Sequence, residues 1–216
     1  MRKCNKTRSG FTLLEVAISI TVLVTITLAA TATVDRSQGA WSTSVTANEL
    51  NSVSQIALDR IARDLKSAVR GSLTPNVTLP GQSTSTLDYR GNSGWVAGAV
   101  VPGAINRLTL ELDSTELDDG IDNNSNGVID ERVLVWSDNP GTVDERRSRR
   151  ASFVAELLEG ELPNGIDDNG NGLVDEPGFC IQIDGNTLNL RLTLQRLSPG
   201  GAVMTSTVET SVLVRN

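Results

Sequence analysis

The sequence predicts an α+β protein in which a long N-terminal helix, transmembrane and then amphipathic, packs on an antiparallel β-sheet with long acidic loops. Three patterns support this prediction. Residues 11–32 are apolar apart from one acid, residues 53–68 repeat apolar side chains at three- and four-residue steps, and later segments alternate apolar and polar residues. The patterns divide the chain into segments 1–10, 11–32, 33–70 and 71–216.

The segment 11–32 is long enough to cross a membrane. A helix rises about 1.5 Å per residue, so about 20 apolar residues span a bilayer, whereas a secretory signal has only roughly 7–15. No Lys or Arg lies within this segment, and four precede it: Arg2, Lys3, Lys6 and Arg8. This charge bias predicts a single-pass protein with a cytoplasmic N-terminus and the rest of the chain across the membrane.

Glu15 lies one turn into the predicted span. The residues alone allow two interpretations. The carboxylate can extend to the nearby membrane interface, or it can have a specific partner, because an ionisable group inside a span is costly and commonly functional.

The second helical segment, 33–70, contains no proline, and Gly71 is its predicted C-terminal cap. Its apolar stripe includes Val53, Ile56, Ile61 and Leu65. Asp184-Gly185 predicts a tight hairpin between two strands. The predicted strands cover 86–90, 95–101, 105–112, 132–136, 179–184, 188–194 and 208–214.

Two acidic loops repeat 45 positions apart: the first acidic loop, 119–131 (DGIDNNSNGVIDE), and the second acidic loop, 164–176 (NGIDDNGNGLVDE). Their D-x-N-x-N-G pattern resembles the first half of an EF-hand Ca²⁺ loop, in which alternate residues direct oxygens at one hard cation. The predicted ligands of the first loop are side chains of Asp122, Asn124, Asn126 and Asp130 and the Val128 carbonyl. Those of the second loop are Asp167, Asn169, Asn171 and Asp175 and the Leu173 carbonyl.

Loop positions are counted from Asp122 and Asp167 as position 1. The loops depart from an EF-hand at position 12, where Val133 and Gly178 replace the bidentate Glu. We therefore expect each loop to close with the acid at position 9 and to bind Ca²⁺ weakly, at about 10⁻⁴–10⁻³ M, as extracellular modules do. Glu131 and Glu176 either contribute or only add charge. The alternative is that both loops are Asn/Asp/Gly turns held by their own side chains.

Composition excludes several functions. The chain has no His and a formal net charge of −7, so the commonest general base is missing and phosphate-backbone binding is unfavourable. No nucleophile–base set is visible, and we expect no enzyme and no nucleic-acid partner. A basic run, Arg146, Arg147, Arg149 and Arg150, is expected in a solvated loop, with docking on an acidic neighbour or on nucleic acid as alternatives.

The stretch Gly10-Phe11-Thr12-Leu13-Leu14-Glu15-Val16 resembles the processing site of type IV pilins and type II secretion pseudopilins. The resemblance implies that prepilin peptidase cuts between Gly10 and Phe11 and that the new Phe11 amine is methylated. It also implies that Glu15 pairs with the N-terminal amine of a neighbouring filament subunit, which makes both buried charges tolerable. Residues 61–66 and 211–216 are similar to segments of J-type minor pseudopilins and W-type minor pilins.

The resemblance implies a minor pseudopilin of a type II secretion filament, anchored in the inner membrane with a periplasmic C-terminal domain and other pilin-like subunits as partners. The alternatives are a minor pilin of a type IV pilus and a membrane-anchored Ca²⁺-dependent binding module. Loss of the four basic leader residues brings the net charge to −11 (−7 − 4). Cys4 leaves with that leader, so Cys180 is expected to be an unpaired, buried thiol.

Overall fold

The computed structural model describes residue 10 and residues 12–214. The described chain has an α+β architecture and divides into two compact units, one ending at Ser42 and the other beginning at Thr43. Helix α1 covers Leu13–Lys66 and is followed by a 3₁₀ turn at Arg70–Ser72. The strands are β1 Thr86–Val96, β2 Ala99–Leu112, β3 Arg132–Asp138, β4 Arg146–Val154, β5 Phe179–Asp184, β6 Thr187–Leu197 and β7 Val203–Leu213.

The N-terminal part of α1 is long and apolar enough to span a membrane, and none of its most apolar window is buried within the structure. This confirms the predicted span by length and composition. The hydroxyls of this part donate to backbone carbonyls three or four residues earlier, so they carry no unsatisfied donor into an apolar environment. They belong to Ser19, Thr21, Thr25, Thr27, Thr31 and Thr33.

The C-terminal part of α1 packs on the sheet through Leu50, Leu58, Ile61 and Leu65. The predicted stripe was partly wrong, because Val53 and Ile56 are 50% and 60% exposed, whereas its other members, Ala57, Ile61, Leu65 and Ala68, are buried. The small residues Ser54 and Ala62 are buried on the same face of the helix and were not part of the predicted stripe.

The predicted helix end at Gly71 was also wrong, since α1 ends at Lys66. Backbone hydrogen bonds then attach the chain to β1, with Asn92 N donating to Ser67 O at 2.8 Å and Val69 N donating to Arg90 O at 2.8 Å. Pairing with the strand replaces the helical bonds that residues after Lys66 would otherwise make.

All seven strands form one antiparallel sheet in the order β1-β2-β3-β4-β6-β5, with β7 also paired to β6. Strand β7 pairs with β6 along its length, so β4 and β5 share the opposite edge of β6. The alternating side chains of β6 are buried as predicted: Leu188, Leu190, Leu192 and Leu194. A tight hairpin joins β5 to β6 as predicted, but Asp184 pairs with Thr187, so the turn residues are Gly185, at φ 55°, and Asn186, one position later than predicted.

Two further predictions are resolved by the sheet. The prediction of a solvated loop over the basic run was wrong, because Arg146–Val154 forms strand β4 and pairs with β3. Cys180 is buried on β5, as expected. Burial raises the pKa of its thiol to about 11, which keeps it protonated and unreactive.

Candidate cation-binding loops

The two acidic loops have the same backbone conformation. The first connects β2 to β3, and the second connects β4 to β5. Four positions in each loop have positive φ, and each position in the second lies 45 residues after its counterpart. The first set is Gly120, Ser125, Gly127 and Asp130, and the second is Gly165, Gly170, Gly172 and Asp175. The repeat in sequence is therefore a repeat in structure.

The acid at position 1 of each loop faces the inside of the turn. Asp122 accepts hydrogen bonds from Asn126 N at 3.1 Å and Gly127 N at 2.7 Å. Asp167 accepts from Gly170 N at 2.7 Å and Gly172 N at 2.8 Å. Asp167 Oδ1 accepts a second bond, from Asn171 N at 3.1 Å, whereas Asp167 Oδ2 and each oxygen of Asp122 accept one bond and retain acceptor capacity for a cation.

The asparagines at positions 3 and 5 form successive turns around the same side of the loop. Asn124 Oδ1 accepts from Asn126 N at 3.0 Å, and Asn126 Oδ1 accepts from Val128 N at 2.9 Å. The second loop repeats both bonds at 3.0 and 2.9 Å, from Asn171 N to Asn169 and from Leu173 N to Asn171. The side chains of Val128 and Leu173 are buried and anchor the loops.

The acid at position 9 binds the start of its own loop. Asp130 accepts from Gly120 N at 2.8 Å and from Asp119 N at 3.4 Å. Asp175 accepts from Gly165 N at 2.8 Å and from Asn164 N at 3.2 Å. Each of these carboxylates therefore joins the two ends of its own loop. The sequence prediction did not include this role.

Sequence analysis missed Glu116 and Glu161, which are 4% and 7% exposed. Glu116 accepts backbone hydrogen bonds from Asn123 and Asn124 at 3.2 and 3.1 Å, and Glu161 accepts one from Asn169 at 3.1 Å. The sequence repeat could have revealed both glutamates, because it begins with them, three residues before the predicted loops: ELDDGIDNNSNGVIDE and ELPNGIDDNGNGLVDE.

The acid after position 9 is the most buried acid of each loop. Glu131 is 2% exposed, and its Oε1 accepts from the side-chain amides of Asn124, at 2.8 Å, and Asn126. Glu176 is fully buried, and its burial raises the pKa of the carboxyl. Within the described chain, Glu131 Oε2 and both oxygens of Glu176 are buried without a hydrogen-bond partner.

The arginines of β4 pair with acids of neighbouring elements. Arg150 lies 2.9 Å from Asp64 of α1, and its guanidinium is 4.9 Å from the centre of the Trp136 ring. Arg147 pairs with Glu111 of β2, and Arg149 lies 3.5 Å from Asp113, just before the first acidic loop. The basic run therefore joins strands and helix within one domain.

The predicted processing and assembly residues lie at the N-terminus. Gly10 is exposed, and Phe11 lies outside the described residues. Glu15 is exposed in the first turn of α1, where its backbone N–H donates to Thr12 Oγ1 at 3.2 Å. Thr12 is thus a helix N-cap, and an acid three residues later is favoured by the helix dipole as well.

A comparison with known proteins finds no family model, no curated sequence and no solved structure that matches the chain. In the described residues, no three His, Cys, Asp or Glu side chains are grouped closely enough to hold a metal ion. Each acidic loop instead combines carboxylates with asparagine amides and backbone carbonyls. The ligands named from the sequence therefore stay predictions.

Proposed function

We propose that this protein is a structural minor subunit, a pseudopilin, of a type II secretion filament, processed by prepilin peptidase, N-methylated and stabilised by Ca²⁺ at its acidic loops. The observation that carries the proposal is the 54-residue helix α1. Its N-terminal part can span a membrane, while its C-terminal part is buried against a seven-stranded sheet. A subunit with this helix can stay anchored before assembly and pack by the same helix afterwards.

Glu15 supports the proposal because its charge lies among exposed apolar side chains of α1. Neighbours such as Leu14, Val16 and Ile18 are 70%, 46% and 57% exposed. No ion pair in the described part of the chain involves Glu15. An amine at the N-terminus of a neighbouring subunit would satisfy this carboxylate when the apolar helices pack together.

Experiment can distinguish two alternatives to this function. A minor pilin of a type IV pilus would have the same helix and the same Glu15 contact. A membrane-anchored Ca²⁺-dependent binding module is favoured by one specific observation, the buried carboxylate oxygens of the acidic loops. That module would function as a monomer and would not need Glu15.

The test replaces Glu15 by Leu in the full chain and measures incorporation into filaments of the protein's own host. Asp35→Leu is the matched control, because it removes an exposed acid from the same helix beyond the predicted span. We expect Glu15→Leu to remain membrane-inserted but to lose incorporation, while Asp35→Leu assembles normally. Equal incorporation of the two variants would mean that Glu15 is only a helix N-terminal acid, and would contradict the proposed contact between filament subunits.

A further inference from the structure

We propose that the bidentate ligand that closes each Ca²⁺ site is the buried glutamate after position 9, Glu131 in the first acidic loop and Glu176 in the second. The aspartates at position 9, Asp130 and Asp175, are positioning residues that shape the loop. The inference deepens the proposed function, because it names the ligands of the Ca²⁺ that the proposed function invokes.

The unpartnered oxygens carry this inference. Six side-chain atoms of the described residues are buried without a hydrogen-bond partner, and three of them belong to Glu131 and Glu176. They are Glu131 Oε2 and both oxygens of Glu176, and a fourth atom, Glu161 Oε2, lies just before the second loop. A buried carboxylate without compensation costs several kcal/mol, on the order of what a bound cation can offset. Because an unpartnered carboxylate oxygen occurs at the equivalent position of both loops, we infer that each loop binds the same kind of cation.

The geometry around Glu131 places its carboxylate among the other predicted ligands. Its Oε1 accepts from the side-chain amides of Asn124 and Asn126, positions 3 and 5 of the loop. Glu131 therefore faces the centre of its loop. Glu176 is fully buried at the equivalent position of the second loop, whose positive-φ positions match those of the first.

The position-9 aspartates are engaged elsewhere. Both oxygens of Asp130 accept backbone N–H groups of Asp119 and Gly120, and Asp175 does the same with Asn164 and Gly165. Asp130 and Asp175 adopt φ of 47° and 49°, so the backbone enters the following glutamate in the same way in both loops. The two adjacent acids thus have different roles, because the aspartate joins the two ends of its loop and the glutamate faces the cation.

The resulting ligand set suits calcium. Side-chain oxygens at positions 1, 3 and 5, the carbonyl at position 7 and a bidentate glutamate supply about six oxygens, within the 6–8 that Ca²⁺ takes. Mg²⁺ requires a tighter octahedron at roughly 2.0–2.1 Å and releases its water reluctantly, so it fits such a loop poorly. One ion per loop gives two sites per chain.

One other group could neutralise Glu176. Arg191 has a buried Nη1 without a hydrogen-bond partner among the described residues, and its charge lowers the pKa of Glu176 slightly. However, Arg191 forms its ion pair with Glu209 at 3.3 Å. Neutralisation by Arg191 would account only for Glu176 and not for the unpartnered oxygen of Glu131, whereas a bound cation accounts for both.

The experiment uses the full chain in detergent micelles, with Ca²⁺ stoichiometry from calorimetric titration and thermal unfolding in Ca²⁺, Mg²⁺ or chelator. We expect two Ca²⁺ per chain, one in Glu131→Gln, one in Glu176→Gln and none in the double variant. The double variant should unfold at the same temperature in Ca²⁺ and in chelator. In chelator it should be at least as stable as the parent, because it lacks two buried charges, and this shows that it is folded.

Two further variants separate the roles. Asp175→Asn should unfold at a lower temperature in chelator yet still bind two Ca²⁺, and the half-exposed Glu156→Gln should match the parent in both respects. Two ions retained in the double variant, or a site lost in Asp175→Asn but kept in Glu176→Gln, would overturn the assignment. No Ca²⁺-specific shift in the parent would also overturn it, while leaving the Glu15 test of the filament role intact.

Discussion

Replacing Arg150 by Met tests how β4 is joined to helix α1. The Arg150 side chain is 14% exposed and its partner Asp64 is 35% exposed, so the ion pair is only partly screened by water. Such a pair contributes about 1 kcal/mol, and the stacking on Trp136 contributes about 1 kcal/mol more. Arg150 Nε has no partner within the described chain, so its removal recovers part of this loss. The net destabilisation is about 1.5 kcal/mol.

The assay is thermal unfolding of the full chain in detergent, followed by tryptophan fluorescence. For a chain of this size, about 1.5 kcal/mol lowers the midpoint by roughly 3–6 °C. Arg146→Met is the matched control, since Arg146 lies on the same strand, is exposed and has no ion pair in the described residues. It should change stability by less than about 0.5 kcal/mol.

A double-mutant cycle with Asp64→Asn completes this test. The cost of Arg150→Met should fall by about 1 kcal/mol in the Asp64→Asn background, because the ion pair is already lost there. If Arg150→Met and Arg146→Met have equal effects, the reasoning that the basic run joins helix and sheet is refuted.

Three further predictions concern single buried positions. Tyr89 is the only tyrosine of the sequence, and burial raises its pKa to about 12. Burial of the neutral phenol stabilises the fold fully below about pH 10, and this stabilisation is lost as the pH rises through 12. At about pH 11 the folded chain should show only about a tenth of its full phenolate absorbance, whereas an ordinary tyrosine is mostly ionised there, and a normal titration would contradict this burial. Gly127→Ala should destabilise more than Gly172→Ala, because both have φ of 87° but only the first would bring a Cβ within 2.5 Å of Leu197; equal midpoints would contradict the close contact. Cys180 should react with a thiol reagent only after unfolding, and rapid labelling of the native chain would contradict its burial.

The parts of the fold that follow from local periodicity were predictable from the sequence. The apolar span and the alternating leucines of β6 have strong patterns, and both are found in the structure. Strand β4 was not predictable, because Arg146, Arg147, Arg149 and Arg150 have no apolar alternation and their strand is stabilised by acids distant in sequence. The exposure of Val53 and Ile56 likewise depends on the sheet, which covers the face of α1 that carries Leu50, Leu58, Ile61 and Leu65.

The acidic loops illustrate a different limit. Their spacing predicted inward-facing oxygens at positions 1, 3 and 5, and the structure places Asp122, Asn124 and Asn126 in successive turns on one side of the loop. Spacing could not separate Asp130 from Glu131, because two adjacent acids can each reach the centre of a loop. Their hydrogen bonds distinguish them, because Asp130 accepts from Asp119 N and Gly120 N whereas Glu131 accepts from the Asn124 amide, and such partners are not readable from a pattern.

The central claim, that this chain is a processed filament subunit, is tested most directly by the N-terminus of the protein extracted from membranes of its own host. Intact-mass measurement and N-terminal sequencing should find a chain that begins at Phe11 and carries one added methyl group. Gly10→Val should accumulate uncleaved in the same membranes. A native chain that begins at Met1, or one cut after the predicted span 11–32, would contradict the account.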